Sequence, residues 1–176
     1  KLIEKAEKLK IEKEDVLKMM YEIEERKKDI FMSTFKEIEK NFTNIFSNLS
    51  KKGQAYLELE NSEDPLTAGL EITVKLTGNK KLDIRSLSGG EKTLAALAFI
   101  FAIQEHQPAS FYFLDEVDAS LDKTNSQMLS KLIAKYSQGA QYIVISHNDA
   151  VITEAEHIYG VSMQQEGVSK VISLKI

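Results

Sequence analysis

The first fifty residues contain neither proline nor glycine. A stretch of that length with no backbone breaker predicts one continuous helix over Lys1–Ser50. Leu2, Leu9, Val16, Ile23 and Ile30 recur at seven-residue spacing and so share one stripe. Ala6 and Met20 partly fill the second position of that repeat, whereas Lys13 and Lys27 stand where it calls for an apolar residue. From Phe31 the stripe strengthens, with Phe31, Phe35, Ile38, Phe42, Ile45 and Leu49 in alternating four- and three-residue steps. Residues 1–30 therefore read as the end of a coiled coil, because their Glu and Lys density leaves a lone helix little to bury. Residues 31–176 read as one globular lobe onto which the same helix runs. Lys51-Lys52-Gly53 is the expected helix stop.

Beyond it, Ala55–Glu60 and Leu70–Leu76 alternate apolar and polar residues, as half-buried strands do. Asn61–Ala68, with Pro65, is a loop, Gly78-Asn79 a turn, and Lys80–Arg85 leads into Leu87, so Gln54–Arg85 predicts a small antiparallel sheet. Ser88 opens a helix to about His106 whose Leu94, Ala95, Leu97, Ala98, Ile100, Phe101 and Ile103 predict burial on most sides. Phe111–Leu114 and Gln141–Ser146 read as buried strands around a helix from Lys123 to Tyr136 that Gly139 stops. A short helix near Asp149–Ala155 and two strands, Ile158–Met163 and Ser169–Ile176, around a Glu166-Gly167 turn complete the chain. The strand–helix–strand order predicts an α/β fold with a parallel core, flanking helices and a right-handed crossover. The active face then lies at the carboxyl ends of the strands. Asp115-Glu116 and Ser146-His147 both fall at such ends.

Two stretches carry chemistry. In Phe111-Tyr-Phe-Leu-Asp115-Glu116-Val-Asp-Ala-Ser-Leu-Asp122, an apolar strand delivers adjacent carboxylates. Such a pair presents one acid to a magnesium shell and the next to an attacking water. The bland alternative is a surface turn with two acids. Against it stands the apolar approach, and Asp118 and Asp122 crowd further charge nearby. In Leu87-Ser88-Gly89-Gly90-Glu91-Lys92, Ser88 and Glu91 fit a capping box, while Gly89 and Gly90 expose amides that a phosphate can approach. His147 is placed to hold a phosphate or a water, or is simply an exposed histidine at a loop start; His106 and His157 read as structural. No Gly-x-x-x-x-Gly-Lys-Ser/Thr occurs, since Glu91 precedes Lys92 where the phosphate-cradling P-loop needs glycine.

The bulk numbers narrow the rest. A formal net charge of −4 over 176 residues gives no general attraction to nucleic acid, so any DNA contact needs a local patch such as Lys51, Lys52, Lys80 and Lys81. Without cysteine there are no disulfides or thiolate metal sites, and the three histidines are too scattered for zinc. No apolar run is long enough to cross a membrane, so no membrane partner is expected.

Taken together, these stretches resemble ABC-type ATPases. Leu87–Lys92 is similar to their signature motif, Phe111–Glu116 to their Walker B strand, Ala119–Asp122 to their D-loop and His147 to their switch histidine. The wording Leu-Ser-Gly-Gly-Glu-Lys-Thr, then Leu-Asp-Glu-Val-Asp-Ala-Ser-Leu-Asp, resembles the SMC (structural maintenance of chromosomes) proteins in particular. So do Asn41–Phe46 and Gly160–Met163, and Val117 stands where transporters and the zinc-hook repair ATPase typically have proline.

The resemblance implies the C-terminal lobe of an SMC ATPase head with a stub of returning coiled coil, the P-loop residing in a separate N-terminal lobe. It implies ATP and Mg²⁺ as cofactors, with Asp115 on the metal and Glu116 and His147 catalytic. Ser88, Gly89, Gly90 and Asp122 would meet the nucleotide of a facing head. The implied partners are the N-terminal P-loop lobe, a second head joined by ATP, a kleisin subunit, and DNA through the full complex. The setting would be the chromosome, in the cytoplasm or nucleus. A head lobe of another coiled-coil ABC ATPase of DNA repair, or an inert coiled-coil scaffold, are the alternatives.

Overall fold

The computed structural model describes residues 1–50, 53–76, 81–164 and 167–175. Lys51, Lys52, Lys80, the Gly78-Asn79 turn and Glu166 lie outside them. Helix α1 spans Leu2–Leu49 without interruption. Residues 1–27 are exposed throughout, and burial sets in around Phe31 and is complete at Phe42, Ile45, Phe46 and Leu49. Glycine does not end this helix. Ser50 does, in an extended conformation (φ −121°, ψ 109°), and Gly53 is already the first residue of the next strand. The chain turns straight back along α1, where the Thr43 hydroxyl donates to the Ala55 carbonyl at 2.9 Å. The residue that caps α1 is thus extended and not left-handed.

Strands β1 (Gly53–Leu59), β2 (Leu70–Leu76) and β3 (Lys81–Asp83) form an antiparallel sheet in that order. Ala55 pairs with Val74 and Leu57 with Ile72. Ala55, Leu57 and Val74 are buried in the same core as the end of α1. The loop between β1 and β2 is tied to α1 by Lys28, whose ammonium donates to the Glu63 carbonyl at 2.9 Å.

A 3-10 turn at Ile84–Ser86 leads into α2, Gly89–His106. Leu94, Ala95, Leu97, Ala98, Phe101 and Ala102 are buried against α1 and its surroundings. Phe42 meets Phe99 edge-on, with ring centroids 6.2 Å apart, and His106 Nδ1 lies 2.9 Å from Glu37 Oε2. Ile100 and Ile103 are exposed, contrary to the expected burial, because no described residue covers that face of α2.

Strand β4 (Phe111–Asp115), helix α3 (Lys123–Tyr136) and strand β5 (Gln141–Ile145) give the expected parallel pair, with Phe111 opposite Gln141 and Asp115 opposite Ile145. These strands are not buried on both faces. Leu114 is covered, but Phe111, Phe113, Ile143 and Ile145 are between 42% and 62% exposed. The apolar runs carry residues for two covered faces, and among the described residues only one face is covered. On that covered face Tyr136, Phe101, Tyr142 and Tyr112 stack in series, with centroids 5.1 to 6.3 Å apart. The Tyr142 hydroxyl donates to Gln104.

Burial pushes the Tyr142 hydroxyl up to about 12 from the ordinary 10, with Tyr112 adding to the rise. A raised native pKa favours the neutral hydroxyl in the fold. Its contribution to stability is therefore complete below pH 10 and is lost as pH climbs from 10 to about 12. Denaturation midpoints followed over that window should fall in the parent, and fall less steeply in Tyr142→Phe. Equal slopes would show that Tyr142 does not titrate there.

Helix α4 (Asp149–Thr153) is followed by β6 (His157–Met163) and β7 (Ser169–Lys175), an antiparallel hairpin with His157 opposite Lys175. Val161, Met163, Val171, Ile172 and Leu174 are all exposed, so both faces of this ribbon are open.

Candidate functional site

Parallel pairing ends β4 and β5 at the same level, which brings Asp115 and the Ser146-His147 turn together. Asp115 is the last residue of β4 and is exposed. The chain then breaks from strand geometry at Glu116, whose φ of 46° makes it a non-glycine residue in the left-handed region. That conformation costs a side-chain-bearing residue about 1–2 kcal/mol. It is held by the Glu116 amide donating to the Ile145 carbonyl at 2.9 Å and by the Ala119 amide donating to the Glu116 carbonyl at 3.1 Å. His147 Nε2 stands 3.4 Å from Glu116 Oε1, with both side chains open to solvent. A carboxylate and an imidazole so placed can share a water or a proton.

Asp118 and Asp122, which the sequence places close by, are each held by a neutral hydrogen-bond donor. Asp118 is only 5% exposed, and its Oδ2 accepts a hydrogen bond from the Ser146 hydroxyl at 2.8 Å. Asp122 caps α3, its Oδ1 accepting from the Asn125 amide at 2.8 Å. Each of these carboxylates has a structural hydrogen bond, whereas Asp115 and Glu116 are exposed. Among the described residues no group of three or more His, Cys, Asp or Glu is arranged to hold a metal ion. A single exposed Asp115 still fits Mg²⁺, which keeps most of its waters and takes one or two carboxylates together with substrate phosphates.

The capping box at α2 is formed. The Ser88 amide and hydroxyl both donate to Glu91 Oε2 at 2.9 Å, and the Glu91 amide donates to Ser88 Oγ at 3.4 Å. The two glycines differ. A Cβ on Gly90 would come 3.0 Å from the Ser120 carbonyl oxygen, so its bareness lets the turn after β4 lie against the helix start. A Cβ on Gly89 would meet nothing within 4 Å. The packing of the described residues therefore does not explain Gly89. Gly89→Ala should accordingly leave the thermal midpoint unchanged or slightly raised, as differential scanning calorimetry would read. A lowered midpoint would mean that Gly89 serves the fold. Lys92 is exposed, in keeping with a solvated residue.

The Thr93 hydroxyl lies 2.7 Å from the Ser120 hydroxyl, so residues 88–93 and the turn through Asp122 form one unit. No hydrogen bond or ion pair among the described residues joins Ser88, Gly89 or Gly90 to Asp115, Glu116 or His147. The described residues thus show two separate clusters, joined by the turn from Glu116 to Asp122. Two links escaped the sequence reading, Thr93–Ser120 and Asp118–Ser146. Each joins hydrogen-bonding residues that lie 27 or 28 positions apart. The adjacent glycines hinted at a close approach; nothing in the spacing marks Ser146.

Residues 1–170 match the family described as the RecF/RecN/SMC N terminal domain. Over 172 residues the chain is 49% identical to the chromosome partition protein Smc of Pyrococcus furiosus, covering 98% of this chain and 14% of that protein. It therefore spans a small part of that relative's length. Among solved structures it is similar to the Smc head domain with an extended coiled coil bound to the C-terminal domain of ScpA, from Pyrococcus furiosus. The TM-score is 0.88 at 50% identity, over 96% of this chain and 42% of that one. A chain from work on ATP-driven dimerization and DNA-stimulated activation of SMC ATPases matches with a TM-score of 0.76 at 48% identity. That match covers 84% of this chain and 89% of the other.

Proposed function

The chain belongs to the SMC family, and from that premise we propose that it is the C-terminal lobe of an ATPase head acting in chromosome condensation, segregation or cohesion. Residues 1–30 would be the end of the returning coiled coil and 31–176 the lobe. The observation that carries the reading is the pairing of Glu116 with His147, 3.4 Å apart, directly after Asp115 at the end of a parallel strand pair. The chain lacks a P-loop, and the β4–β5 pair has a bare apolar face at Phe111, Phe113, Ile143 and Ile145. Both features support an N-terminal P-loop lobe as the missing cover.

In this proposal each residue has a separate task. Asp115 would hold Mg²⁺, which when bound would offset the charge on the phosphates. Glu116 accepts a proton from the attacking water, and its left-handed backbone sets it beside His147. His147 keeps Glu116 and the water in register. Ser88, Gly89, Gly90 and Asp122 serve the nucleotide of a facing head, which is where the open space above Gly89 would be filled. Because the residues for one nucleotide are divided between two heads, hydrolysis would require ATP-driven dimerisation.

A kleisin is the further protein partner, at the neck part of α1 in one head and at the outer edge of this lobe in another. The P. furiosus head bound to ScpA and the open β6–β7 ribbon support the second of these. DNA would be engaged by the full complex, at the chromosome.

The test is Mg-ATP binding by calorimetry, with this chain alone and again after joining the P-loop lobe of the same protein. No heat of binding alone and tight binding after joining are expected. Tight binding by the chain alone would place the phosphate cradle here and overturn the reading.

A further inference from the structure

Asp118 is the only acidic side chain buried among the described residues, yet it lies two positions after the exposed Glu116. Its Oδ2 accepts from the Ser146 hydroxyl at 2.8 Å, and Ser146 Oγ in turn accepts from the Asn148 amide at 2.9 Å. The Asn148 side-chain oxygen accepts from the Ala150 amide at 3.0 Å and so starts α4. His147 is therefore pinned on both sides through its neighbours, although its own ring is 89% exposed and has no packing to hold it. The pin reaches from the turn that carries Glu116 to the turn that carries His147. Burial makes it strong, since a carboxylate away from water is costly unless its hydrogen bonds are made.

We infer that Asp118 is a positioning residue, acting through the Ser146 hydroxyl to fix His147 against Glu116. The Ser146 hydroxyl spans the two turns, donating to one and accepting from the other. Without it the Glu116 turn is still held at the strand end, by its amide on the Ile145 carbonyl, but residues 146–148 lose the side-chain tie beyond that point, and the exposed ring no longer keeps a fixed distance to the carboxylate. The turnover arm of the test below rests on the hydrolytic role proposed for His147; the geometric arm does not.

The experiment uses the head formed by this chain with its P-loop lobe, labelled at histidine and glutamate. Nuclear Overhauser contacts between the His147 ring and the Glu116 side chain are expected in the parent and in Ser146→Thr, which keeps the hydroxyl. They should be lost in Ser146→Ala. Because that variant leaves the Asp118 carboxylate buried and unpaired, Asp118→Ala with Ser146→Ala is made alongside it. This pair removes both partners, folds without an orphaned charge, and should lose the same contacts. Contacts that persist in both variants overturn the inference. In steady-state turnover, Ser146→Ala should lower kcat about tenfold with KM for ATP within about twofold. Ser146→Thr should restore it. In a His147→Ala background the further loss should vanish, because the pin then has nothing to position. A loss of equal size in that background would make Asp118 and Ser146 merely structural and overturn the inference. Lost contacts with undiminished turnover would uphold the positioning and instead remove His147 from the proposed mechanism.

Discussion

Glu116→Gln, made in the head formed with the P-loop lobe, should slow ATP hydrolysis by about a hundredfold or more. That is the range in which a positioned general base contributes. Nucleotide binding and ATP-driven dimerisation should survive, because the glutamine keeps the shape and the hydrogen-bonding reach of the glutamate. It loses only the capacity to take a proton. The Glu116 side chain is about half exposed and glutamine matches its size, so the substitution should leave the fold intact. Turnover is measured under single-turnover conditions with dimer formation followed by light scattering. The proposal expects dimers that persist and phosphate that is not released. Hydrolysis at the parental rate would remove Glu116 from the role of base, and loss of dimerisation would assign it to binding.

The second large effect concerns the fold. Phe42 is completely buried where α1 crosses α2, beside Phe46 and edge-on to Phe99. Phe42→Ala removes the ring and leaves a cavity, a change that costs about 3–5 kcal/mol at such sites. A whole domain has about 5–15 kcal/mol to lose, so the denaturant midpoint should drop by a large fraction of its value. Ile23→Ala, on the same helix but 53% exposed, should change stability by less than about 0.5 kcal/mol. Urea unfolding of the two variants side by side checks the contrast. A comparable loss at Ile23 would mean that the outer part of α1 is packed in solution, against a second helix.

The sequence was most legible where structure is decided locally. Leu70–Leu76 and Lys123–Tyr136 appear as strand and helix with the expected boundaries, because alternation, periodicity and the flanking breakers are properties of neighbouring residues. The capping box at Ser88 is readable for the same reason, and the alignment of Asp115 with the Ser146-His147 turn is readable because a strand–helix–strand order implies parallel strands that end at one level. What was misread depends on partners distant in sequence. The apolar runs of β4 and β5 were taken to mean burial on both faces, but only one cover lies among the described residues. Asp118 looked like one more repelling charge, because its partner Ser146 lies 28 residues away. Gly53 reads as the stop of α1, whereas the helix ends at Leu49 with an extended Ser50 and Gly53 already belongs to β1. Hydropathy patterns report what a residue would bury against; they do not report who supplies the surface.

The uncovered strand pair has one more consequence. A sheet of two strands has no interior strand, so β4 and β5 each present an outer edge of backbone amides and carbonyls. Beside those edges lie Phe-Tyr-Phe-Leu and Tyr-Ile-Val-Ile, with no lysine or proline in either strand to discourage pairing. Such a surface invites any extended segment to add itself, including the same segment from another copy. Whatever completes this sheet therefore also acts as its guardian, and the order in which the parts of the protein leave the ribosome and meet becomes a matter of solubility.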